Sequence, residues 1–235
     1  MPIAKHPASL RFAVYEHIAR LGQAASSPRR LELLDLLSQG PYTVDALAQQ
    51  TGQSAAATSH HLQVLRRAHL VDAQKTGLYV RYRLADPRVG AFLLDLRHLA
   101  ESQLAEIQHM THQFLDARGA LEPVDHDELV RRVRAGEVTL IDVRPRDEYA
   151  AGHIPGAISV PLADLPRRVK DLQKRRDVVA YCRGPYCVMA LDAVDLLRRK
   201  GFRAHRLAHG VPEWRALGWR VESGMTHAEN ALHSQ

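Results

Sequence analysis

Both cysteines of the chain lie in one short segment, YCRGPYC at residues 181–187, where four residues separate them. The β-prone residues before this segment predict a strand, and the apolar periodicity after it predicts a helix from Val188 to Arg199. A tight turn from a strand into a helix directs backbone N–H groups and the positive end of the helix dipole at the turn. We therefore expect Cys182 to ionise readily and to act as a nucleophile, assisted by Arg183.

The residues between the two thiols predict the shape of this turn. Gly184, Pro185 and Tyr186 connect Cys182 to Cys187, and glycine and proline favour turns whose side chains are exposed. We expect this loop to favour an anion at the turn, so these three residues are the predicted substrate-binding residues. The alternative is a pair of small thiols buried in the core, which is common for cysteine.

The length and composition of the chain restrict its class. A chain of 235 residues predicts about two domains. The net charge of +6 permits nucleic-acid binding without locating it. Neither an apolar N-terminal run nor an uninterrupted apolar stretch of roughly 18 residues occurs, so we expect no signal peptide and no membrane partner. Two closely spaced cysteines do not form a disulfide scaffold, which favours a reducing cytoplasm.

Capping residues and apolar periodicity divide the first third of the chain into helices. Proline follows Ser27 at a predicted helix start, Thr43 and Ser54 are predicted N-caps, and Gly52 ends the helix that begins at Thr43. The four predicted helices cover residues 8–21, 28–39, 43–52 and 54–68. The last two are joined by a tight turn, which is typical of a helix-turn-helix.

A hairpin and a long helix follow. Residues 70–74 and 78–84 alternate around Gly77 and predict a β-hairpin whose basic face forms a wing. A single helix is predicted from Asp86 to about Ala117. Its apolar stripe favours packing against a second copy, so we predict a homodimer; the alternative is packing on its own domain.

Residues 54–71, with TSHHL at 58–62 and LRRAHLV at 65–71, resemble the recognition helix of ArsR/SmtB-type winged-helix repressors. The resemblance covers about residues 8–115. It implies a dimer that binds double-stranded palindromic operators and releases them on sensing an inducer. It further implies two sets of DNA-contacting residues, in which polar side chains enter the major groove and cations meet the minor groove or phosphate. The first set is Ser54, Thr58, Ser59, His60 and Gln63; the second is Lys75, Arg81 and Arg83. The alternative is a helix-turn-helix that contacts only proteins.

The metal-sensing members of that family suggest an alternative. Because no cysteine precedes residue 182, the composition excludes a thiolate metal site in the winged-helix half. A second family site lies on the last helix and uses Asp and His. Arg97 breaks the family spacing there, so we predict no metal and no cofactor. Zinc held between two protomers stays the alternative, by the set Asp95, His98, His109 and His112.

The second half alternates strands and helices, which predicts a parallel sheet covered on both faces, with its site at the carboxyl ends of the strands. The predicted fold class is therefore a mainly α winged helix-turn-helix domain followed by an α/β parallel-sheet domain. The predicted boundaries are 1–118 for the first domain, 119–123 for a linker, 124–222 for the second domain and 223–235 for a disordered tail.

The second domain is similar to rhodanese domains in four stretches that occur in the family's order: residues 141–144, 148–157, the 181–187 segment and 210–214. The resemblance implies that Cys182 attacks a sulfane sulfur donor, carries a persulfide and passes the sulfur to a thiol acceptor. It also implies that Arg183 holds an anionic donor. Asp142, Arg144 and His153 are expected to brace the sheet and neighbouring loops.

Two positions depart from the family pattern. A second thiol, Cys187, stands where many rhodaneses carry a basic residue, which weakens the case for thiosulfate and supplies a partner to resolve a persulfide on Cys182. The alternative for Cys187 is a buried thiol at the helix start. Related phosphatases and arsenate reductases need a longer loop that ends in Arg, so Val188 disfavours phosphoryl and arsenate chemistry.

Together these features predict a cytoplasmic, dimeric repressor whose rhodanese half senses or transfers sulfane sulfur at Cys182. Two alternatives stay open. One is a sulfurtransferase enzyme that the winged-helix half only targets, and the other is a metal- or metalloid-responsive repressor.

Overall fold

A computed structural model describes residues 7–116 and 126–225 of the chain. The predicted linker at 119–123 and residues 226–235 of the predicted tail lie outside the described residues. The chain divides into two compact units, Met1–Leu93 and Leu94–Gln235. This division falls inside a helix, upstream of the predicted linker. Among the described residues, no helix has the length and apolar character that crossing a membrane requires.

The first unit is a winged helix. Its elements are α1 (Pro7–Ala25), α2 (Pro28–Gln39), β1 (Tyr42–Thr43), α3 (Val44–Thr51), α4 (Ala55–Arg67), β2 (Val71–Thr76), β3 (Tyr79–Leu84) and the start of α5 (Pro87–Gln103). The strands form an antiparallel sheet in the order β1-β3-β2. Fully buried leucines from three helices, among them Leu34, Leu47 and Leu62, form the core beneath the sheet.

The helix boundaries follow the predicted capping residues. The Thr43 side chain accepts the Ala46 N–H, and the Ser54 side chain accepts the Ala57 N–H, at the starts of α3 and α4. Gly52 ends α3 in the left-handed region at φ 63°, which glycine adopts without steric cost. Ser27 precedes Pro28 at the start of α2 without a side-chain cap.

The prediction of a single long helix from Asp86 to Ala117 is wrong because the helix is interrupted. The chain forms two helices, α5 (Pro87–Gln103) and α6 (Ala105–Asp116), which are separated at Leu104. The Gln108 side chain donates to the Glu101 carbonyl, an acceptor that an uninterrupted helix would use for its own backbone. This side-chain bond accompanies the break, which periodicity alone does not reveal.

The second unit contains the rest of α5, α6 and an α/β fold. The elements of that fold are α7 (His126–Arg134), β4 (Val138–Asp142), α8 (Arg146–Ala151), β5 (Ile158–Ser159), α9 (Leu165–Arg168), a 3-10 helix (Val169–Asp171), β6 (Asp177–Tyr181), α10 (Met189–Arg199), β7 (Ala204–Arg206) and α11 (Val211–Ala216). The strands are parallel in the order β5-β4-β6-β7, with Ala180 paired to Ile141 and Arg206. The predicted parallel sheet is confirmed.

Side chains alternate between two cores along the central strand β6. Val178 and Ala180 pack on the face that also holds α10, whereas Val179 and Tyr181 pack on the face that holds Leu129 of α7 and Trp214 of α11. Burial on both faces explains the continuous apolar run in the sequence. Cys182 directly follows the carboxyl end of this strand and is buried there.

Candidate functional site

The two thiols occupy the loop of residues 182–188 that joins β6 to α10, here named the Cys loop. Cys182 is only 1% exposed, whereas Cys187 is partly buried and Tyr186 is exposed. The Cys182 thiol donates to the Cys187 carbonyl oxygen at 3.3 Å. The expectation that the loop exposes the side chain of Cys182 is wrong, because Cys182 extends the apolar face of β6 into the core.

Backbone N–H groups surround the sulfur atoms, as a strand-to-helix turn predicts. The N–H groups of Arg183 and Met189 hydrogen-bond to the Cys187 sulfur, and that of Ala190 hydrogen-bonds to the Cys182 sulfur. Two of these donors come from the first turn of α10, where backbone N–H groups lack helical partners. The loop therefore favours negative charge on sulfur, most of it at Cys187.

The two thiols differ in acidity. Burial raises the pKa of Cys182 well above its usual value. Interaction with the Cys182 side chain lowers the pKa of Cys187 to about 6, against the opposing effect of burial and with help from the surrounding N–H groups. These two directions favour Cys187 as the more acidic thiol, whereas the sequence predicts that Cys182 ionises readily.

Arg183 is engaged by a carboxylate. Its Nη2 lies 2.6 Å from Glu148 Oε1, and its Nε lies 3.1 Å from both carboxylate oxygens. The side chain of Arg183 is 13% exposed and that of Glu148 is 1% exposed. This bidentate ion pair holds the loop in place. Glu148 also neutralises most of the positive charge of Arg183, which the sequence analysis expected to bind an anionic sulfur donor.

Two further side chains hold the loop, and the sequence analysis missed both. Arg206 Nη2 donates to the carbonyl of Gly184 at 3.1 Å and to that of Pro185. Glu213 Oε2 accepts the Gly210 N–H at 2.8 Å, and its other oxygen lies 2.9 Å from where a Cβ on Gly184 would stand. The sequence offers no signal for Arg206, because the segment before Leu207 also contains Arg203 and His205 and is not an apolar run.

The residues expected to brace the domain do so. Arg144 and Asp142 form a fully buried ion pair, and Arg144 also donates to the Gly152 carbonyl at 2.7 Å. The His153 ring stacks on Tyr149 at 3.8 Å. None of these contacts reaches the sulfur atoms, so they stabilise the frame behind the Cys loop.

Helix α4 carries most of the predicted major-groove residues on its surface. Ser54, His60 and Gln63 are exposed, and Ser59 is partly exposed. Thr58 is 0% exposed and its hydroxyl donates to the Ser54 carbonyl at 3.0 Å, so its predicted role in the major groove is wrong. Its spacing from Leu62 and Leu65 places all three on the buried face of α4.

The predicted cationic wing is also present. Lys75 and Arg83 are exposed on the hairpin, and Arg81 is partly exposed on β3. Arg83 lies 3.8 Å from Asp72 on the paired strand, and both side chains are about half exposed. An ion pair this open contributes little to stability and leaves Arg83 accessible to phosphate.

The alternative zinc ligands are separate from one another. Asp95, His98, His109 and His112 are all exposed, and no group of three or more His, Cys, Asp or Glu side chains in the described residues is arranged to hold a metal ion. A set shared between two protomers stays a prediction.

Comparisons with known proteins match both halves. A family model described as "Rhodanese-like domain" matches residues 125–217, and one described as "Bacterial regulatory protein, arsR family" matches residues 27–73. The chain is 44% identical over 213 residues to the HTH-type transcriptional regulator Rv0324 of Mycobacterium tuberculosis, covering 90% of this chain and 93% of that protein.

Each half also has separate relatives. A sulfurtransferase of Allochromatium vinosum is 34% identical over 97 residues, which cover 40% of this chain and 89% of that protein. A solution structure of the homodimeric winged helix-turn-helix DNA-binding domain of Mb0332 from Mycobacterium bovis is 33% identical, covers 44% of this chain and 93% of that chain, and has a TM-score of 0.39.

Proposed function

Because the chain belongs to the arsR family of bacterial regulatory proteins and is a DNA-binding regulator with a rhodanese-like domain, we propose that sulfane sulfur at Cys182 and Cys187 controls its binding to DNA. We propose further that the regulator is a repressor. The observation that carries the proposal is the pair of free thiols in the Cys loop, in which the Cys182 thiol donates to the Cys187 carbonyl and the pKa of Cys187 is lowered. These are the chain's two cysteines, so thiol chemistry has no other location.

The proposed reaction begins with an organic persulfide, R–S–SH. The sequence assigns the persulfide to Cys182 and its resolution to Cys187, but the acidity and accessibility of Cys187 support the reverse order. The Cys187 thiolate attacks the outer sulfur of the donor, so that a new S–S bond forms to Cys187 while the donor's own S–S bond breaks and R–S⁻ leaves. Cys182 then attacks the Cys187 sulfur, which forms a disulfide and releases H₂S. The two cysteines are oxidised and the sulfane sulfur is reduced.

Operator binding in two sulfur states tests the proposal. The probe is a duplex selected from a random pool by the reduced protein, and its affinity is measured before and after treatment with cysteine persulfide, with intact mass on the same samples. We expect the affinity to fall at least about tenfold as sulfur is taken up or two hydrogen atoms are lost. The Cys182→Ala/Cys187→Ala double variant is the control and should bind the duplex equally in both conditions. Unchanged affinity of the wild type after sulfur uptake would contradict the proposal.

A homodimer is the proposed assembly. Exposed apolar side chains recur on α1 and α6 at helical spacing, and a second copy is the partner that would bury them. They are Leu10, Val14, Ile18 and Leu21 on α1, with Met110 and Phe114 on α6. A two-fold dimer also matches the palindromic operators that we expect for this family. With its free thiols and DNA ligand, the protein is proposed to act in the cytoplasm.

A catalytic sulfurtransferase is the second candidate. The N–H groups around the two sulfur atoms and the similarity to a sulfurtransferase of Allochromatium vinosum support it. Release of sulfide from cysteine persulfide to excess dithiothreitol would be measured at catalytic protein concentration. Many turnovers per protein molecule, without an effect on DNA binding, would favour this candidate over the regulatory one.

A further inference from the structure

Arg206 is a buried cation that the known features of the fold do not explain. It is 3% exposed at the end of β7, and its Nη2 donates to two carbonyls of the Cys loop. Its Nε and Nη1 atoms are buried and have no hydrogen-bond partner among the described residues. Unpaired donors on a buried charge are costly, which indicates a site that is incomplete without an anion.

The charges around Arg206 identify that anion. Burial lowers the pKa of Arg206, and negative charge on Cys182 or Cys187 opposes that effect; burial raises the pKa of Cys182, and the charge of Arg206 opposes that rise. Of the other charged groups at the loop, Arg183 is paired with Glu148, and Glu213 is paired with Arg97. The ionisable groups left to balance Arg206 are therefore the two sulfur atoms.

We propose that Arg206 completes a buried anion site under the Cys loop, and that the ligand of this site is negative charge on sulfur, carried by a thiolate or a persulfide anion. The inference rests on the proposed function and adds a positioning residue to it. Because Glu148 occupies Arg183, the cation for the sulfur chemistry comes from the neighbouring strand β7. Arg206 also orients the loop N–H groups through its bonds to the Gly184 and Pro185 carbonyls.

Variants at Arg206 test this role through a pH profile. Sulfur uptake from cysteine persulfide would be followed by intact mass between pH 5 and 8 for Arg206→Gln and Arg206→Lys, with Arg203→Gln as the control on an exposed side chain of the same segment. Gln retains a donor for the loop carbonyls but removes the charge, and Lys retains the charge. We expect uptake at pH 6 to slow at least about tenfold for Arg206→Gln, with a higher midpoint, and to recover partly in Arg206→Lys.

The dependence of sulfur uptake on pH distinguishes loss of the Arg206 charge from loss of folded structure. Circular dichroism would verify folding of each variant. A folded Arg206→Gln protein with the wild-type midpoint and rate would overturn the inference, as would equal losses in the Gln and Lys variants. Sulfur uptake is measured without DNA, so its result is independent of the operator-binding test. The role of Arg206 can be refuted while persulfide still controls operator binding, and persulfide control can be refuted while Arg206 still affects uptake.

A second inference comes from four side chains of the second unit, Arg97, Glu101, Tyr186 and Glu213, here named the α5 cluster. Arg97 Nη2 lies 2.6 Å from Glu213 Oε1, and its Nε lies 3.6 Å from Glu101. The Tyr186 hydroxyl donates to Glu101, and the Arg97 guanidinium lies over the Tyr186 ring at 5.9 Å. The side chains of Arg97 and Glu213 are 16% and 6% exposed, so their ion pair is largely shielded from water.

Two members of the α5 cluster are also parts of the sulfur site. Tyr186 directly precedes Cys187 in the chain. Glu213 accepts the Gly210 N–H and lies against Gly184 of the Cys loop. We expect a bond between Cys182 and Cys187 to alter the loop at Cys187 and therefore the position of the neighbouring Tyr186.

We infer that the α5 cluster transmits the sulfur state of the Cys loop to helix α5, an inference that also rests on the proposed function. Helix α5 runs without interruption from Pro87 to Gln103, and Val89 near its start packs in the winged-helix core. When Tyr186 releases Glu101, α5 loses a contact that is present in the reduced protein. Near its start α5 packs in the winged-helix core, and near its end it contacts the Cys loop. A change at the thiols can therefore alter the position of a helix that is part of the DNA-binding unit.

The variants Glu101→Ala and Arg97→Gln test the transmission, with Glu106→Gln on an exposed position of α6 as the control. Sulfur uptake is measured by intact mass, and affinity for the selected duplex is measured before and after cysteine persulfide. We expect wild-type sulfur uptake in both variants, together with loss of most of the tenfold change in affinity. The control should respond like the wild type.

The outcomes distinguish transmission from the proposed function. A wild-type response in both cluster variants overturns the inference and leaves sulfur control of DNA binding intact. Loss of sulfur uptake in the variants also overturns it, because the residues would then act on the chemistry. If cysteine persulfide leaves the affinity of the wild-type protein for the duplex unchanged, both the proposed function and the transmission are contradicted.

Discussion

At the scale of single residues, the acidity of a thiol depends on what surrounds it. Cys182 and Cys187 share one loop, yet burial raises the pKa of the first while interaction with the Cys182 side chain lowers the pKa of the second to about 6. We therefore expect Cys187 to carry the thiolate at neutral pH and to lose it as the pH falls through about 6. Persulfide uptake should rise with pH through this value and then level off.

Cys182→Ala tests whether the Cys182 side chain lowers the pKa of Cys187. The substitution removes that side chain, so the pKa of Cys187 should rise by about one unit or more, which corresponds to at least about 1.4 kcal/mol of differential stabilisation. Iodoacetamide alkylation as a function of pH measures the change, with Cys187→Ala as the matched variant. Cys182 in that variant should react little below pH 8. An unchanged midpoint for Cys187 in Cys182→Ala would refute the assignment.

At the scale of elements, the loop depends on close backbone packing between two segments. A Cβ on Gly210 would lie 2.6 Å from the Arg183 carbonyl carbon and 2.8 Å from the Gly184 nitrogen. These atoms are backbone, so they cannot move aside as the end of a flexible side chain can. The turn before α11 thus determines where the Cys loop lies.

Gly210→Ala should therefore displace the Cys loop. We expect a loss of about 1–3 kcal/mol in the free energy of unfolding, typical of overpacking, and slower persulfide uptake. Urea denaturation and intact mass measure the two effects. Gly22→Ala on α1 is the control, because no atom lies within 4 Å of its Cβ position and alanine favours helix. Equal stability of the two variants would show that the loop accommodates the methyl group.

We expect the recognition helix and the wing to contribute differently to DNA binding. Lys75→Gln should weaken binding to all sequences alike and reduce the salt dependence by about 0.9 in the log–log slope, because it removes the phosphate contact that we predict for Lys75. Gln63→Ala should instead relax base preference and cost about 1–3 kcal/mol on the selected duplex. Fluorescence anisotropy at several salt concentrations separates these effects.

Thr58→Val is the matched control for the recognition helix. Because Thr58 is buried, its substitution should leave base preference unchanged. A change in preference as large as that of Gln63→Ala would mean that the buried face of α4 influences readout.

At the scale of the whole molecule, the proposed dimer explains the apolar surface of α1. Ile18→Asp places a charge among these side chains, so we expect a monomer in sedimentation velocity and at least about tenfold weaker binding to a palindromic duplex. Leu217→Asp is the matched control, since Leu217 and Ile18 are both 54% exposed. A dimeric Ile18→Asp protein with wild-type affinity would place the interface elsewhere.

Local features of the sequence determined the identity of both halves. Interactions between residues close in the chain determine the helix caps and the turns, at Thr43, Ser54, Gly52 and Gly77. The alternation of apolar strand segments with helical segments predicts the parallel sheet. The position of the two cysteines between a strand and a helix was predictable for the same reason. The spacing of Thr58 from Leu62 and Leu65 also carried the signal of its burial.

Only the tertiary structure decided which groups act together. Arg206 reaches the Cys loop from the neighbouring strand, Glu148 takes the charge of Arg183, and Glu213 joins the loop to Arg97. These partners are far apart in the chain, so neither propensity nor spacing predicts them. Thiol acidity depends in the same way on burial and on charges brought close by folding, which is why the sequence located the pair of thiols but could not predict the opposite pKa shifts of its two members.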